Sequence, residues 1–452
     1  MYSEELKEKI EKLLKQKEFK QTIELLREIH PADIAELIEN LPDEEEKIQV
    51  FQLLDVDIAS EVIVKLSEDT RRLILEELTH GHLADIVEDL PSDEAADIIG
   101  DLPEEKAKKV LDQIPPKNQA KLRHLLRYHE ETAGGLMQTE VLTLPADITV
   151  EEAIEKIRSL SEETEEKYHA IFIVNGKHQL LGIIPLYKLI IAPPYEKLFA
   201  IMEKPEVVIK VDEDQEEVAK KFQKYDLVSA PVVDDQGVLL GRITIDDIID
   251  VIEKETSEDF YRLAGTDVEE IVYGDEILKI SRVRLPWLIT NLFGGLLTGL
   301  IMWFFKRTIG EAIALISFIP VITGMGGNVG IQSSTITVRG LATGRVRSFN
   351  FKYHLIKEIK VAFLMANICG ATVGLIAFLW HGEAILGLVV GLAMFCAMTV
   401  AVLMGTLMPV ILRKLGVDPA VASGPFVTTA NDVVGILIYM IIATIFLKYL
   451  SG

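Results

Sequence analysis

The carboxyl-terminal part of the chain carries long runs of apolar residues. Five such runs follow residue 284, and each is long enough to cross about 30 Å of hydrocarbon as a helix. They cover residues 285–305, 310–338, 359–380, 384–412 and 420–447. This pattern predicts an all-α membrane domain with five crossings over residues 285–452.

The amino-terminal part has a shorter period. Between residues 19 and 128, leucine and isoleucine recur at spacings of three and four, which places them on one face of a helix. A phrase ending in Leu-Pro repeats, for example HPADIAELIENLP at 30–42 and HGHLADIVEDLP at 80–91. Proline directly after a helix favours a sharp turn. We therefore predict an all-α superhelical domain of stacked short helices over residues 1–130.

Residues 131–256 alternate between strand and helix patterns. AIFIVNGKHQLLGIIPLYKLI and SAPVVDDQGVLLGRITIDDIIDVI follow one design: a β-branched strand, a polar turn with glycine, a second strand and a helix. They predict a tandem α/β pair at about 136–200 and 201–256. Residues 257–284 have helical spacing, acidic at first and basic at the end, and predict a helix that connects this pair to the membrane.

Charge divides the chain in the same way. Residues 1–280 carry 65 acidic and 33 basic side chains, whereas residues 281–452 carry 5 and 13. Such an acidic half repels nucleic acid and anionic lipid and attracts cations, so no nucleic-acid partner is expected. The first residues form a charged amphipathic pattern rather than a signal peptide, which predicts a cytoplasmic soluble half.

The distribution of basic residues predicts the topology of an integral membrane protein in the inner (plasma) membrane. Lysine and arginine are concentrated before the first crossing, between the second and third, and between the fourth and fifth. The positive-inside rule then places the N-terminus inside and the C-terminus outside. An odd number of crossings excludes two equal inverted halves in one chain. It does not exclude a pore on the twofold axis of a homodimer.

Asp432 is the only charged residue between Ala420 and Leu447. A charge at mid-membrane costs about 3 kcal/mol by insertion scales, and such residues usually line an ion path. Thr428, Thr429 and Asn431 add oxygen ligands of the kind that Mg²⁺ prefers. One carboxylate is too few for a dehydrated divalent ion, whereas two across a dimer axis match the charge of a hydrated Mg²⁺. The alternative is a carboxylate used for packing against a neighbouring helix.

A second unusual stretch, PVITGMGGNVGIQSSTITVRG, covers residues 320–340. Its glycines permit close helix approach, and Asn328, Gln332, Ser333 and Thr335 supply oxygens for a water-filled path. Small residues used only for packing are the competing interpretation. No Gly-Lys-Ser/Thr follows, so the stretch is not a phosphate-binding loop.

The two strand–helix copies resemble a tandem pair of cystathionine-β-synthase-type (CBS) regulatory modules, which sense adenine nucleotides or ions. In GRITIDD of the second copy, this resemblance implies a ribose contact through Thr244 and Asp247. The first copy departs from the pattern because it has Pro185 and Lys188 at the matching positions. Two scaffolds without a ligand remain the alternative.

The whole order of modules resembles the MgtE family of magnesium channels and transporters. GGNVGIQ, the TTANDVVG run around Asp432 and AGGLMQTEVLTL carry this resemblance over nearly the whole chain. It implies a homodimer with one central pore for hydrated Mg²⁺ and Asp432 at the ion site. From their own polar groups and positions, the candidate pore-lining residues are Asn328, Gln332, Thr428 and Asn431.

The resemblance also implies feedback in magnesium uptake and homeostasis. Cytoplasmic Mg²⁺ would bridge acidic faces of the soluble domains and hold the pore shut, with ATP as a candidate modulator. The matching acids are Glu61, Asp93, Asp97, Glu216, Asp226, Asp247, Asp250, Glu255, Glu258, Asp259 and, at the membrane face, Asp418.

Two other functions remain to be weighed. An alternating-access carrier could exchange Mg²⁺ or Co²⁺ for Na⁺ or H⁺, and the sequence does not separate it from a channel. A membrane-anchored nucleotide sensor or enzyme has no nucleophile–base pair or metal-hydrolase spacing behind it, and it leaves Asp432 without a role. We therefore expect a non-enzymatic transporter.

Overall fold

The computed structural model describes residues 4–16, 18–161, 168–266, 277–343, 345–346, 350–422 and 424–450. The chain divides into two compact units, Met1–Lys254 and Glu255–Gly452. We describe each unit by itself.

The first unit begins with ten short helices, most of them eight to ten residues long. Side chains accept hydrogen bonds at several amino-terminal caps, including His30, Asp43, Ser67 and Thr79, so the ends of these short helices are satisfied locally. The helices are α1 (Glu4–Lys15), α2 (Phe19–Leu26), α3 (Pro31–Glu39), α4 (Glu44–Gln52), α5 (Val56–Ile63), α6 (Glu68–Glu77), α7 (His80–Asp89), α8 (Ser92–Gly100), α9 (Glu104–Leu111) and α10 (Pro116–Leu125).

Polar contacts join successive turns of this helical stack. They link residues 28 to 31 positions apart, as in Arg27 to Asp55 at 2.7 Å and Arg71 to Asp101 at 2.8 Å. Ser60 donates to Asp89 across 29 positions in the same way. A contact that repeats at a nearly constant interval is the mark of a superhelical repeat, in which each unit is held by its neighbours.

Two three-stranded sheets follow, each with the same order of pairing. The middle strand pairs parallel with the first and antiparallel with the third, and the ladder shifts register near its end in both copies. The first copy contains β1 (Thr143–Pro145), α11 (Val150–Ser161), β2 (Ala170–Val174), β3 (Leu180–Pro185), α12 (Leu186–Ile191) and α13 (Leu198–Ile201). The second contains β4 (Ile209–Lys210), α14 (Gln215–Tyr225), β5 (Ser229–Val233), β6 (Leu239–Thr244) and α15 (Ile245–Ala264).

The second unit contains five helices that are long and apolar enough to cross a membrane. The first and third to fifth are α16 (Ile277–Phe304), α19 (Phe351–His381), α20 (Ala384–Lys414) and α21 (Pro425–Ile445). The second crossing comprises a 3₁₀ turn (Ile313–Phe318) and α18 (Ile319–Ala342). Short helices α17 (Lys306–Glu311) and α22 (Leu447–Leu450) and a 3₁₀ turn (Pro419–Ala422) complete the unit.

The predicted connecting helix falls on three parts of the chain. Residues 257–264 continue α15, residues 277–284 begin α16, and residues 267–276 lie outside the described residues. The expectation of one unbroken helix over 257–284 is therefore wrong, because α15 ends at Ala264 and Gly265 has a left-handed φ of 80°. Helices α16 and α19 begin eight residues, about two turns, before the predicted starts of their crossings. The other ends of the five crossings lie within five residues of the predicted bounds.

Helices α19 and α20 approach each other backbone to backbone. A Cβ atom at Gly370 would lie 2.8 Å from the carbonyl oxygen of Gly391, and one at Gly374 would lie 2.7 Å from that of Gly387. Glycines four positions apart on both helices therefore create this seam, as in other close membrane helix pairs.

Candidate ion site and acidic clusters

Asp432 lies near the middle of the fifth crossing, beside the glycine-rich second crossing. A Cβ atom at Gly327 would lie 3.8 Å from Asp432 Oδ1 and 3.1 Å from Thr428 Cγ2, so the absence of a side chain there brings α18 and α21 together. The Asp432 carboxylate is half-buried, and it makes no hydrogen bond or ion pair with any residue that the structure describes. The expected interpretation of a carboxylate within a membrane span is an ion path, and its lack of a described partner here does not favour the packing alternative.

The polar residues around Asp432 fall into two groups. Asn328 and Gln332 are one helical turn apart on α18 and are exposed on the surface of the single chain, while Thr428 is half-buried. Asn431 instead faces the protein interior. It is 3% exposed and packs over Gly330, and neither polar atom of its amide has a hydrogen-bond partner in the described part of the chain.

A hydrogen-bonded pair of contacts between the second and third crossings was not anticipated from the sequence. Ser333 Oγ donates to Glu358 Oε2 at 3.2 Å, and one turn further on Thr337 Oγ1 lies 3.1 Å from His354 Nε2. Glu358 is 5% exposed. It stands one residue before the predicted start of the third crossing, so the apolar pattern excluded it. Ser333 and Thr337 are four residues apart, as are His354 and Glu358. This matching spacing was the signal in the sequence from which the two contacts could have been predicted.

In the soluble unit, Asp93 of α8 is buried against the second CBS copy. It is 5% exposed, and its Oδ1 atom has no hydrogen-bond donor among the described residues. Burial and the neighbouring Asp247 carboxylate raise the pKa of Asp93 well above its usual range. Asp247 lies at the start of α15, and its own pKa rises to about 6, with burial as the main cause. The fold therefore places the carboxylates of Asp93 and Asp247 close enough to repel each other.

Three further charged side chains belong to the cluster formed by Asp93 and Asp247. Burial first, and then repulsion from the Asp247 carboxylate, raises the pKa of Glu94 to about 7. Asp246 adds to this repulsion and Lys65 partly offsets it. Sequence reasoning found Asp93 and Asp247 but missed Glu94, Asp246 and Lys65, because each of them looks like a solvated surface residue in the sequence. We call these five residues the docking cluster.

The other predicted acids of the first unit are more open. Glu61, Asp97, Asp226 and Asp250 are exposed, and Glu216 pairs with Lys220 at 2.9 Å. Asp226 also has a backbone role, since it ends α14 with φ of 49°, a left-handed conformation that Asp and Asn tolerate better than most residues.

The predicted acids of the second unit lie on the last turns of α15 and in the loop before the fifth crossing. Glu255 and Asp259 are half-buried on α15. Glu258 and Asp418 form ion pairs with the same side chain, Arg262. The structure thus brings these two predicted metal ligands together around an arginine.

Neither unit contains a preformed metal cage in its described residues, where no three His, Cys, Asp or Glu side chains are close enough to hold one ion. The docking cluster nevertheless offers oxygen acceptors to a divalent cation. Asp93 Oδ1 is a buried acceptor without a donor, and its neighbours are carboxylates, which are the ligands of Mg²⁺.

The residues expected to contact a ribose do not present a free site. Asp247 Oδ2 accepts from the Thr244 amide at 3.0 Å and from its hydroxyl at 2.8 Å, which closes a local cap at the start of α15. In the first copy Pro185 has no hydroxyl, and Lys188 is paired with Glu203. These local bonds occupy the Thr244 hydroxyl and one oxygen of Asp247, and we derive no step through a nucleotide.

Family models match most of the helical domain, the tandem α/β pair and most of the membrane unit after its first crossing. The MgtE intracellular N domain profile matches residues 29–131, the CBS profile matches 133–194 and 198–254, and the MgtE divalent cation transporter profile matches 319–442. The magnesium transporter MgtE of Enterococcus faecalis is 40% identical over 438 residues, which cover 96% of this chain and 96% of that protein. The chain belongs to the MgtE family.

Other MgtE relatives agree with this assignment. The magnesium transporter MgtE of Bacillus subtilis is 32% identical over 426 residues, 94% of each chain. Among solved structures, the cytosolic domain of the Mg²⁺ channel MgtE in complex with ATP has a TM-score of 0.51 at 33% identity and covers 54% of this chain and 98% of its own. The soluble part of a magnesium transporter has a TM-score of 0.50 at 27% identity, with 56% and 98% covered.

Family and fold class are therefore as the sequence predicted. This MgtE protein is a multi-pass membrane protein with a helical N-domain, a tandem CBS pair and five apolar membrane helices.

Proposed function

We propose that this protein is a Mg²⁺-selective channel of the plasma membrane that cytoplasmic Mg²⁺ closes. The observation that carries this proposal is Asp432, a half-buried carboxylate without a partner among the described residues, in the membrane unit of an MgtE family member. The relatives named as magnesium transporters support Mg²⁺ as the transported ion. Transport needs no covalent step, so we expect no enzymatic activity.

The exposed polar face near Asp432 favours a pore between two copies of the chain. Asn328 and Gln332 on α18 are exposed beside the half-buried Asp432, and in hydrocarbon such groups need a polar neighbour or water. A twofold axis along this face would bring a second Asp432 opposite the first. Two carboxylates then balance the charge of Mg²⁺ while the ion keeps most of its water.

The soluble unit supports the same assembly. On and beside α12 and α13, large apolar side chains are exposed to an unusual degree, namely Tyr187 (60%), Ile190 (82%), Ile191 (75%), Tyr195 (80%) and Phe199 (67%). Exposed apolar side chains grouped this closely along the chain suit a protein interface. Because the family resemblance implies a homodimer, we propose a second copy of this chain as its occupant.

For the gate, we propose that Mg²⁺ binds in the docking cluster and relieves its repulsion. Without a cation, Asp93, Glu94 and Asp247 make contact between α8 and the start of α15 unfavourable, which the raised pKa values of all three carboxyls reflect. Each Mg²⁺ that binds only the docked state stabilises it by RT ln(1 + [L]/Kd). Falling cytoplasmic Mg²⁺ then releases the helical domain and opens the pore.

The remaining predicted acids would form a diffuse surface that binds hydrated Mg²⁺. They are Glu61, Asp97, Glu216, Asp226, Asp250, Glu255 and Asp259. Their exposure or partial exposure suits outer-sphere binding rather than a closed cage. We propose the topology expected from the basic residues, with the soluble unit in the cytoplasm and the C-terminus outside.

The test is Mg²⁺ flux into proteoliposomes at low and high Mg²⁺ on the cytoplasmic side. We expect wild-type flux that high Mg²⁺ suppresses, and a loss of at least tenfold in Asp432→Ala. Glu383→Gln, which removes a carboxylate at the turn between α19 and α20, is the matched control and should retain flux. Undiminished flux in Asp432→Ala would refute the pore assignment, and turnover at carrier rates without single-channel steps would favour alternating access.

A further inference from the structure

One arginine stands at the place where the family resemblance puts a regulatory metal ion. The guanidinium of Arg262 pairs with Glu258, one turn earlier on α15, and with Asp418 in the loop before the fifth crossing. All three side chains are mostly covered, with 31%, 20% and 34% of their surfaces exposed for Arg262, Glu258 and Asp418. A covered charge-assisted pair is stronger and less screened by salt than one at an open surface.

The contact between Arg262 and Asp418 lies where the end of α15 meets the start of α21. Asp418 Oδ1 also accepts from the Ala420 amide at 2.8 Å and so caps the 3₁₀ turn that leads into α21. Three residues after Arg262, Gly265 has φ of +80°, and a Cβ atom there would lie 2.8 Å from Pro425 Cγ, at the start of α21. The end of α15 is therefore held against the beginning of the helix that carries Asp432.

A divalent ion at Glu258 and Asp418 would have to displace this guanidinium. Arginine remains protonated at all physiological pH values, and its planar fork of donors suits two carboxylates at once. The residues thus already have a cation, and they do not fit Mg²⁺ as they are arranged here.

We infer that Arg262 acts as a built-in cation that replaces regulatory Mg²⁺ at the membrane-face site formed by Glu258 and Asp418. This inference rests on the proposed Mg²⁺ gating. Arg262 holds the end of α15 on the fifth crossing at every Mg²⁺ concentration, so the remaining sites need less Mg²⁺ to close the pore. The membrane-face contact contributes to closure without itself responding to Mg²⁺.

The decisive measurement is the cytoplasmic Mg²⁺ concentration that halves the flux, compared between wild type and Arg262→Gln. If Arg262 supplies the bridging charge, its removal leaves two repelling carboxylates, and the half-inhibitory concentration rises by about threefold to tenfold. If Glu258 and Asp418 instead bind Mg²⁺ in the closed state, Arg262 is a competitor, and its removal lowers that concentration. A lowered or unchanged value overturns the inference.

Two control variants separate a bridging role from general damage. Arg262→Lys keeps the charge and should restore part of the wild-type response. Arg307→Gln removes an arginine from the i,i+4 pair that Arg307 makes with Glu311 at 2.8 Å, and it should leave the half-inhibitory concentration unchanged. A shift in Arg307→Gln as large as that in Arg262→Gln would count against a specific bridge.

A second readout does not depend on gating. In EDTA, thermal unfolding of the full-length protein in detergent is measured for Arg262→Gln, Asp418→Asn and the double variant. If the two side chains pair without Mg²⁺, each single change lowers Tm by about 2 °C, and the double variant is no less stable than the worse single one. Additive losses overturn the bridge. A clear coupling in a protein whose flux Mg²⁺ never inhibits would refute the proposed gating alone.

Discussion

Asp93 carries a buried carboxylate oxygen that no described residue donates to, and it lies next to Asp247. A carboxyl whose pKa is raised in the docked state binds more protons there than when it is exposed. The ordinary pKa values are 3.8 for Asp and 4.5 for Glu, against about 6 for Asp247 and about 7 for Glu94 in this arrangement. The contribution of these carboxyls to the stability of the docked state is therefore greatest at acidic pH, and it is lost as pH rises through the window from about 4 to 7.

This predicts that protons and Mg²⁺ act in the same direction on the docking cluster. In EDTA, lowering the pH from 8 to 6 should stabilise the soluble unit of the full-length protein, and 10 mM Mg²⁺ should stabilise it more at pH 8 than at pH 6. Asp93→Asn should raise the stability at pH 8 by about 1–3 kcal/mol in EDTA and reduce the effect of Mg²⁺. Thermal unfolding measures all three quantities, and Asp57→Asn, on the exposed side of α5, serves as the matched control. A loss of stability on acidification between pH 8 and 6 would contradict the assignment.

At the scale of elements, the membrane helices pack through positions that have no side chain. A Cβ atom at Gly330 would overlap the Asn431 amide and lie 3.2 Å from Val427 Cγ1, whereas one at Gly326, a turn earlier on α18, would meet nothing within 4 Å. The two glycines therefore make a natural comparison within one helix, because the same substitution meets opposite surroundings.

We predict opposite signs for the two substitutions. Gly330→Ala should destabilise the protein by about 1–3 kcal/mol through overpacking and abolish most flux, because it pushes α21 and Asp432 away from α18. Gly326→Ala should be neutral or stabilise by up to about 1 kcal/mol, since alanine has the higher helix propensity. Thermal unfolding in detergent together with flux distinguishes them, and equal losses would mean that α18 tolerates no side chain on this face.

The helices and strands were largely predictable, while their contacts were not. Leucine spacing and the Leu-Pro phrases gave the helical domain, and the apolar runs gave all five crossings, because both depend on local period and length. The burial of Glu358 was not predicted, because it depends on a hydrogen bond from Ser333 of another helix. Lys65 and Glu94 were not predicted because their cluster depends on how separate domains meet, and no local pattern in the sequence encodes that contact.

For the whole molecule, we predict that the exposed apolar side chains on and beside α12 and α13 form the interface between two copies of the chain. A stable interface buries about 1,200–2,000 Å² in total and is most sensitive to a charge at its centre. Ile190→Glu, at a side chain that is 82% exposed in the single chain, should shift the full-length protein from dimer to monomer and weaken Mg²⁺ inhibition.

Light scattering of the detergent-solubilised protein measures the mass. Leu126→Glu, at a position 39% exposed near the end of α10, is the control and should leave the mass unchanged. An unchanged dimer in Ile190→Glu would place the main interface elsewhere, most simply along the membrane face that includes Asn328 and Gln332.

The backbone seam between α19 and α20 has a practical consequence. Because the glycines of these two helices leave no room for a side chain between them, we expect the helices to move together as one hairpin, with its turn at Gly382. A fluorophore or epitope attached at this turn would report the position of a fixed frame. Changes in the distance from this turn to labels on α18 or α21 would then measure the movement of α18 or α21 relative to the hairpin.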